Sequence, residues 1–262
     1  MRKDYHLHPT VLQTPEHMEY FVQQALKKGI KQICITDHMP LSISNAADRI
    51  PKGKVREYCL RVCDFSEKYK DIIKIKCGIE IDYHPSVIGE IENVLSEGDF
   101  DYILASSHMH AFMKDFSQCS FNDFAKITLE NSLKAVETGW FNAVAHLDMY
   151  RWVFENPKRF PLITEEYQPL YYETFIKELL RKIKQKNMFL EINPHFAETK
   201  GNLLYTYPQE CIVEWALKEG VQFSYGSDAH APQSVGALIE DLEKHPLYGK
   251  ALMRWENDNE ND

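Results

Sequence analysis

The sequence contains no uninterrupted apolar run long enough to span a bilayer, and no leader-like apolar stretch opens it. Neither membrane insertion nor export is therefore expected. A basic excess is also missing: 30 Lys and Arg stand against 39 Asp and Glu, a formal net charge of −9. That balance disfavours a nucleic-acid partner, which needs a positive footprint. Cysteine is sparse, with six in 262 residues. Without a secretory signal this points to reduced thiols and a cytoplasmic location, not a disulfide framework. Cys59 and Cys63 lie four apart on an expected helix, and core packing is the role expected of both. No low-complexity segment or repeat interrupts the chain. A single domain is expected over 1–252, followed by an acidic tail at 253–262 that lacks the apolar residues needed for order.

What the sequence does contain is an ordinary soluble balance, 44% hydrophobic and 26% charged, and a regular alternation. Short apolar runs at 2–7, 31–36, 73–80, 101–107, 142–146, 188–192 and 222–226 read as strands. Amphipathic stretches near 15–28, 54–69, 85–96, 121–138, 165–186, 208–219 and 232–244 read as helices. The stretch at 165–186 is the clearest, with Tyr167, Leu170, Tyr171, Phe175, Leu179 and Ile183 at helical spacing. Thr14 is placed to cap the first helix, with Pro15 at its first position. Such alternation indicates parallel strands with right-handed crossovers. Helix-to-strand turns are short, and Gly29, Gly98, Gly139, Asn187 and Gly220 sit where a left-handed cap is wanted. Strand-to-helix connections at 37–53, 108–120, 147–164 and 193–207 are long. Those loops stand at the carboxyl ends of parallel strands, where active sites are built.

Metal-ligand residue types collect at those ends. His6 and His8 end the first strand, and residues at i and i+2 of a strand share a face. Asp37 and His38 follow the second strand, and Glu80 ends the third. His108 and His146 follow the fourth and fifth. Glu191, Asn193 and His195 mark the sixth, and Asp228 and His230 the seventh. A lone histidine after a strand is usually a surface or capping residue, and a lone buried carboxylate usually an ion-pair partner. The coincidence across all seven strands favours a metal site instead. Only His17, His84 and His245 fall outside it, the last two as exposed loop residues. One ion takes about four to six ligands, so this set implies at least two ions. Glu80 is the best bridging carboxylate. Imidazole and carboxylate ligands suit Zn, Mn or Fe.

The ordered set His6/His8, Thr36-Asp37-His38, Gly78-Ile79-Glu80, His108, His146 and Ser227-Asp228-Ala229-His230-x-Pro resembles the PHP (polymerase and histidinol phosphatase) superfamily over nearly the whole chain. The stand-alone length is similar to histidinol-phosphatase-like members. The resemblance implies an α/β fold, a distorted (β/α)7 TIM-like barrel, with two or three divalent metal ions. It implies His6, His8, Glu80 and Asp228 on a first metal, Glu80, His108 and His146 on a second, and His38 and His230 on a third. The sequence departs from the family in the first loop, where Gln13 and Thr14 replace the His or Asp that would complete the third site; His17 lies nearby. The loop 193–200 also does not clearly present the basic residue expected for gripping a histidinol-phosphate-like substrate.

The implied chemistry is hydrolysis of a small phosphate monoester, most simply L-histidinol phosphate, by a hydroxide bridging two metals. Arg151, five residues past His146, is the candidate cation for the phosphate; its alternative is a surface ion pair. Asp228, His230 and His195 are candidates to protonate the leaving alkoxide, and His110 and His195 to face the substrate. Phe112, Phe116, Trp152, Phe154, Phe196 and Tyr205 line a pocket for a ring-bearing substrate or pack the loops. Three alternatives stand beside this reading. One is an amidohydrolase-type metal hydrolase. Another is a relative acting on a sugar phosphate, nucleotide, phosphodiester or phosphotyrosine. The third is a non-enzymatic metal-binding module.

Overall fold

A computed structural model of the chain describes residues 1–42, 48–108, 121–153 and 172–257. Seven strands form one sheet in chain order, each parallel to the next: β1 (Lys3–Leu7), β2 (Gln32–Ile35), β3 (Lys74–Asp82), β4 (Tyr102–Ser106), β5 (Ala143–Val144), β6 (Phe189–Ile192) and β7 (Gln222–Tyr225). The two edges meet just beyond β7. Leu7 bridges Ala229, His8 N donates to Ala229 O at 2.9 Å, and Asp228 N donates to His6 O at 2.8 Å. The sheet is thus a nearly closed (β/α)7 barrel, and its closing bonds run through three of the residues expected to bind metal.

Helices α1 (His17–Lys27), α2 (Val55–Tyr69), α3 (Ile88–Glu97), α4 (Phe121–Thr138), α5 (Glu173–Gln185), α6 (His195–Lys200), α7 (Glu210–Glu219), α8 (Ile239–Lys244) and α9 (Tyr248–Asn257) fill the connections. The stripe on α5 buries Ile176, Leu179, Leu180 and Ile183; Tyr167, Leu170 and Tyr171 lie outside the described residues. Alternation on β3 separates two jobs. Ile75, Cys77, Ile79 and Ile81 fall on one face, and Gly78, Glu80 and Asp82 on the other. A Cβ on Gly78 would stand 2.6 Å from Cys34 Sγ and 2.7 Å from Tyr102 O, so only glycine lets β3 approach its neighbours just before Glu80. Tyr58 of α2 braces that point, its hydroxyl reaching Ile35 O (3.0 Å) and Gly78 O (2.8 Å).

Several expectations need correction. Thr14 does not cap α1. Its hydroxyl turns to Thr10 and to Pro9 O, while its carbonyl accepts from His17 N in a turn that precedes the helix. Gly29, Gly139, Asn187 and Gly220 are left-handed, but Gly98 is extended, because the chain runs on at once toward β4. The expected loop 193–207 contains α6, and the expected helix 232–244 opens as a 3-10 turn before α8. Helix α9 was not expected and carries 253–257 of the expected tail. Cys59 is half-buried and packs against the core as expected, but Cys63 is exposed, since α2 turns Val55, Tyr58 and Val62 inward. His84 and His245 are part-buried caps rather than free loop residues, accepting from Ser86 N and from Leu247 N and Tyr248 N.

Candidate metal centre

The strand ends deliver their side chains to one point. His6 and His8 are buried, and the Nε2 atoms of both face Glu80 Oε2, at 3.3 and 3.4 Å. Asp228 Oδ1 lies 3.2 Å from His8 Nε2 and 3.7 Å from His6 Nε2. On the other side of Glu80, Oε1 lies 3.0 Å from His146 Nε2 and 3.7 Å from His108 Nε2. Glu80 therefore turns one oxygen to each of two ligand sets, the arrangement a bridging carboxylate requires. The donor atoms of His8, His38 and His230 form a third set within 4.8 Å of one another. The His8 ring stacks on each of the other two, at 4.3 and 4.4 Å between centroids.

Two of these residues sit on a backbone that favours glycine. His146 has φ 24° and Asp228 φ 55°. Such conformations cost free energy and persist where the surrounding structure over-determines them. At Gly226 the crowding is greater still: a Cβ would fall 2.1 Å from Glu191 Oε1 and 2.4 Å from His6 Cβ.

An outer ring fixes the ligand orientations. Glu191 Oε1 lies 2.6 Å from His6 Nδ1, leaving Nε2 for the centre. Glu191 Oε2 accepts from His146 N (2.9 Å) and from Asn193 Nδ2 (3.1 Å), and Asn193 Nδ2 also reaches Asp228 Oδ2 at 3.2 Å. Asp82 Oδ1 lies 2.6 Å from His108 Nδ1. Among the described residues Asp37 forms no ion pair with a histidine side chain. Its two oxygens accept from Thr10 N and Val11 N and tie down the first loop, and burial pushes its carboxyl up to about 7.

Whether these residues suit metal ions can be judged from their unmet valences. His6 Nε2 and His8 Nδ1 and Nε2 are buried without a hydrogen-bond partner, while His38 Nδ1 and Glu80 Oε2 have each other as ion-pair partners, at 2.8 Å. Each unpartnered atom costs about 1–3 kcal/mol unless something binds it. Divalent ions would satisfy the inward-facing atoms together, and the mixed imidazole and carboxylate donors are the right chemistry. Burial alone would raise the Glu80 carboxyl, yet His38, His108 and His6 hold it well below its usual range. Asp228 behaves likewise, burial opposed by His6 and His195. Burial and the neighbouring His38 and His230 also drive His8 well below its usual range, which leaves it an unprotonated, competent ligand. For His6 and His38 burial is outweighed by carboxylates, Glu191 and Asp228 for His6 and Glu80 for His38, which raise the imidazole, so an ion bound there would displace a proton.

All eight expected metal residues are thus brought together, as is His195, whose donor atom groups with those of Asp228 and His230. The first loop supplies nothing. The Gln13 side chain is exposed and donates to Arg49 O, Thr14 is spent on Pro9 and Thr10, and His17 joins no ligand group among the described residues. Arg151 is no surface residue. It is buried, 3.0 Å from Asp148 Oδ2, and donates to Leu204 O and Thr206 O. Phe196 meets Tyr205 edge-on at 5.5 Å and stacks with Tyr207, so these rings pack the loop. His110, Phe112, Phe116, Phe154 and the Trp152 side chain lie outside the described residues. Asp82, Arg49 and the outer-ring roles of Glu191 and Asn193 were not expected. Asp82 follows Glu80, and Asn193 follows Glu191, at the i, i+2 spacing already used for His6 and His8.

The PHP domain model matches residues 4–195. The chain belongs to the PHP domain family. Over 252 residues it is 27% identical to a Deinococcus radiodurans protein named "Probable histidinol-phosphatase", covering 92% of this chain and 91% of that one. It is 24% identical to the histidinol-phosphatase of Bacillus subtilis, over 91% of this chain and 97% of that one. Among solved structures, a Lactococcus lactis histidinol phosphate phosphatase complexed with Zn, L-histidinol and phosphate shares the fold, at TM-score 0.72, 21% identity, and 95% and 93% coverage. Family and relatives make this PHP protein a metal-dependent phosphoric monoester hydrolase, which sets aside the amidohydrolase and non-enzymatic alternatives. Among the described residues no helix is long and apolar enough to cross a membrane.

Proposed function

We propose that this PHP protein hydrolyses L-histidinol phosphate to histidinol and phosphate, using two or three divalent ions. The observation that carries the reading is the cluster of imidazoles around Glu80 and Asp228, in which His6 Nε2 and His8 Nε2 are buried without a hydrogen-bond partner. The histidinol-phosphatase names of relatives spanning nearly the whole chain support the substrate.

His6, His8, Glu80 and Asp228 would hold one ion, and Glu80, His108 and His146 a second. His38 and His230 would hold a third more weakly, because no first-loop side chain joins them. Bound divalent ions lower the pKa of water to about 7 and neutralise phosphoryl oxygens. The rest falls to the chain. Glu191 and Asp82 hold the His6 and His108 rings with Nε2 inward. Asn193 holds Asp228 from the outer side.

His195 is our choice for the proton donor to the leaving alkoxide. Its Nδ1 is buried without a partner, and its ring meets His230 edge-on at 5.6 Å. Asp228 and His230 act with it, as ligands first. Arg151 and His110 are proposed to face the phosphate. Arg151 would do so from its anchorage on Asp148 and the Leu204 and Thr206 carbonyls.

The test is phosphate release from L-histidinol phosphate beside sugar phosphates, nucleotides, phosphotyrosine and a phosphodiester. A kcat/KM highest for histidinol phosphate is expected. A clear preference for another ester would replace the substrate and leave the metal chemistry standing.

A further inference from the structure

We propose that Arg49 is a positioning residue that acts through Asp82 on the metal ligand His108. Asp82 is fully buried at the end of β3. Its Oδ1 takes the His108 Nδ1 contact at 2.6 Å and accepts from Ser106 Oγ at 3.1 Å. Its Oδ2 lies 2.6 Å from Arg49 NH1, whose side chain is only 10% exposed. Arg49 NH1 also donates to Met39 O at 3.0 Å. The Arg49 backbone is stitched in as well: it bridges His38, Ile50 N donates to His38 O at 2.9 Å, and Arg49 O accepts from Gln13. One residue therefore links the first loop, the segment after β2, the end of β3 and the segment after β4.

The physical argument rests on charge and direction. A buried carboxylate that orients a ligand imidazole is useful only if it holds still and stays charged. A buried charge without a partner is strongly destabilising. Arg49 supplies a permanent cation of fixed shape on the oxygen that His108 does not use. It also decides how the cluster of His38, Asp82 and His108 should be read. Their donor atoms lie within 4.8 Å of one another, as at an ion site. A guanidinium already occupies the Asp82 carboxylate, so this cluster orients a ligand and does not bind an ion of its own. Gln13 finds a role here too: where the first loop offers no metal ligand, its amide holds the Arg49 carbonyl.

The inference rests on metal-dependent phosphomonoester hydrolysis but not on histidinol phosphate as the substrate. Its test therefore uses cobalt and a generic ester. Metal-stripped wild type, R49M, R49K, D82N and R49M/D82N are titrated with Co2+ and followed by visible absorption. Their hydrolysis of p-nitrophenyl phosphate is measured alongside. R49M is expected to weaken binding of one Co2+ by about 10- to 100-fold and to alter its spectrum, with a similar fall in kcat and little change in KM. R49K, which keeps the charge, should lie between wild type and R49M. In the D82N background, R49M should add almost nothing, since Arg49 acts only through that carboxylate. Losses that add in the double variant, or a Co2+ affinity and spectrum unchanged in R49M, overturn the proposal. If R49M does not fold, the cycle of R49K with D82N gives the same reading. The cobalt titration decides the matter even if p-nitrophenyl phosphate is a poor substrate.

Discussion

Glu80 concentrates the chemistry of this PHP protein in one side chain. Its Oε2 faces the imidazoles of His6, His8 and His38 and its Oε1 those of His108 and His146, all within 3.7 Å, and the side chain is fully buried. Asp228 is the second carboxylate of the proposed centre, and Asp228→Asn should lower turnover by orders of magnitude while leaving the circular dichroism spectrum native. Near-normal activity in that variant would remove Asp228 from the centre. Glu191→Gln should weaken metal affinity by about 10- to 100-fold, because His6 and Asn193 both lose a charged partner. Unchanged affinity on titration with Zn2+ would show that the His6 ring is held by packing alone. Arg151→Ala separates two roles. A raised KM with native thermal stability marks contact with the phosphate. A lowered Tm with unchanged KM marks a tether between Asp148 and the 203–207 segment.

Among the elements, β3 carries most weight, since it brings Gly78, Glu80 and Asp82 to the centre and leans on α2 through Tyr58. Tyr58→Phe leaves the Ile35 and Gly78 carbonyls without their buried donor, and should cost about 1–3 kcal/mol by denaturant unfolding. A loss under about 0.5 kcal/mol would mean that another group reaches those carbonyls, since a typical net hydrogen bond is worth that much or more.

The strands were legible because parallel barrel strands are short, apolar and separated by amphipathic helices. The candidate ligands were legible because they fall at the strand ends. Helix α6 was not, being six residues inside a loop that carries Asn193-Pro194. Helix α9 was not, because its last residues read as an acidic tail. The outer ring was half legible. Asp82 and Asn193 obey the period of two, but a strand pattern does not say which polar residue touches the ion and which holds the ligand. Arg49 left no sign, because it reaches the centre from a loop with no periodicity. Nor did the left-handed backbones of His146 and Asp228, which only the closed barrel imposes.

For the molecule as a whole, the proposed site would couple metal and fold. The proposed ligands come from β1, β3 and the segments after β1, β2, β4, β5 and β7, so ions held by them would tie the barrel across its width. Chelation should therefore lower the Tm, and added Zn2+ or Mn2+ should restore it in a concentration-dependent way, since a ligand that binds only the native state stabilises it by mass action. A Tm indifferent to chelator would mean that the buried histidines and carboxylates hold together without ions.

The most direct test joins metal content to turnover. Metal-stripped protein is titrated with Zn2+ or Mn2+ while phosphate release from L-histidinol phosphate and metal bound per chain are recorded together. Release should be absent without metal and rise as the second equivalent binds, and it should remain absent in Asp228→Asn at any metal concentration. Phosphate release by the stripped protein, at a rate that added metal does not change, would contradict the metal-centred reading of the site.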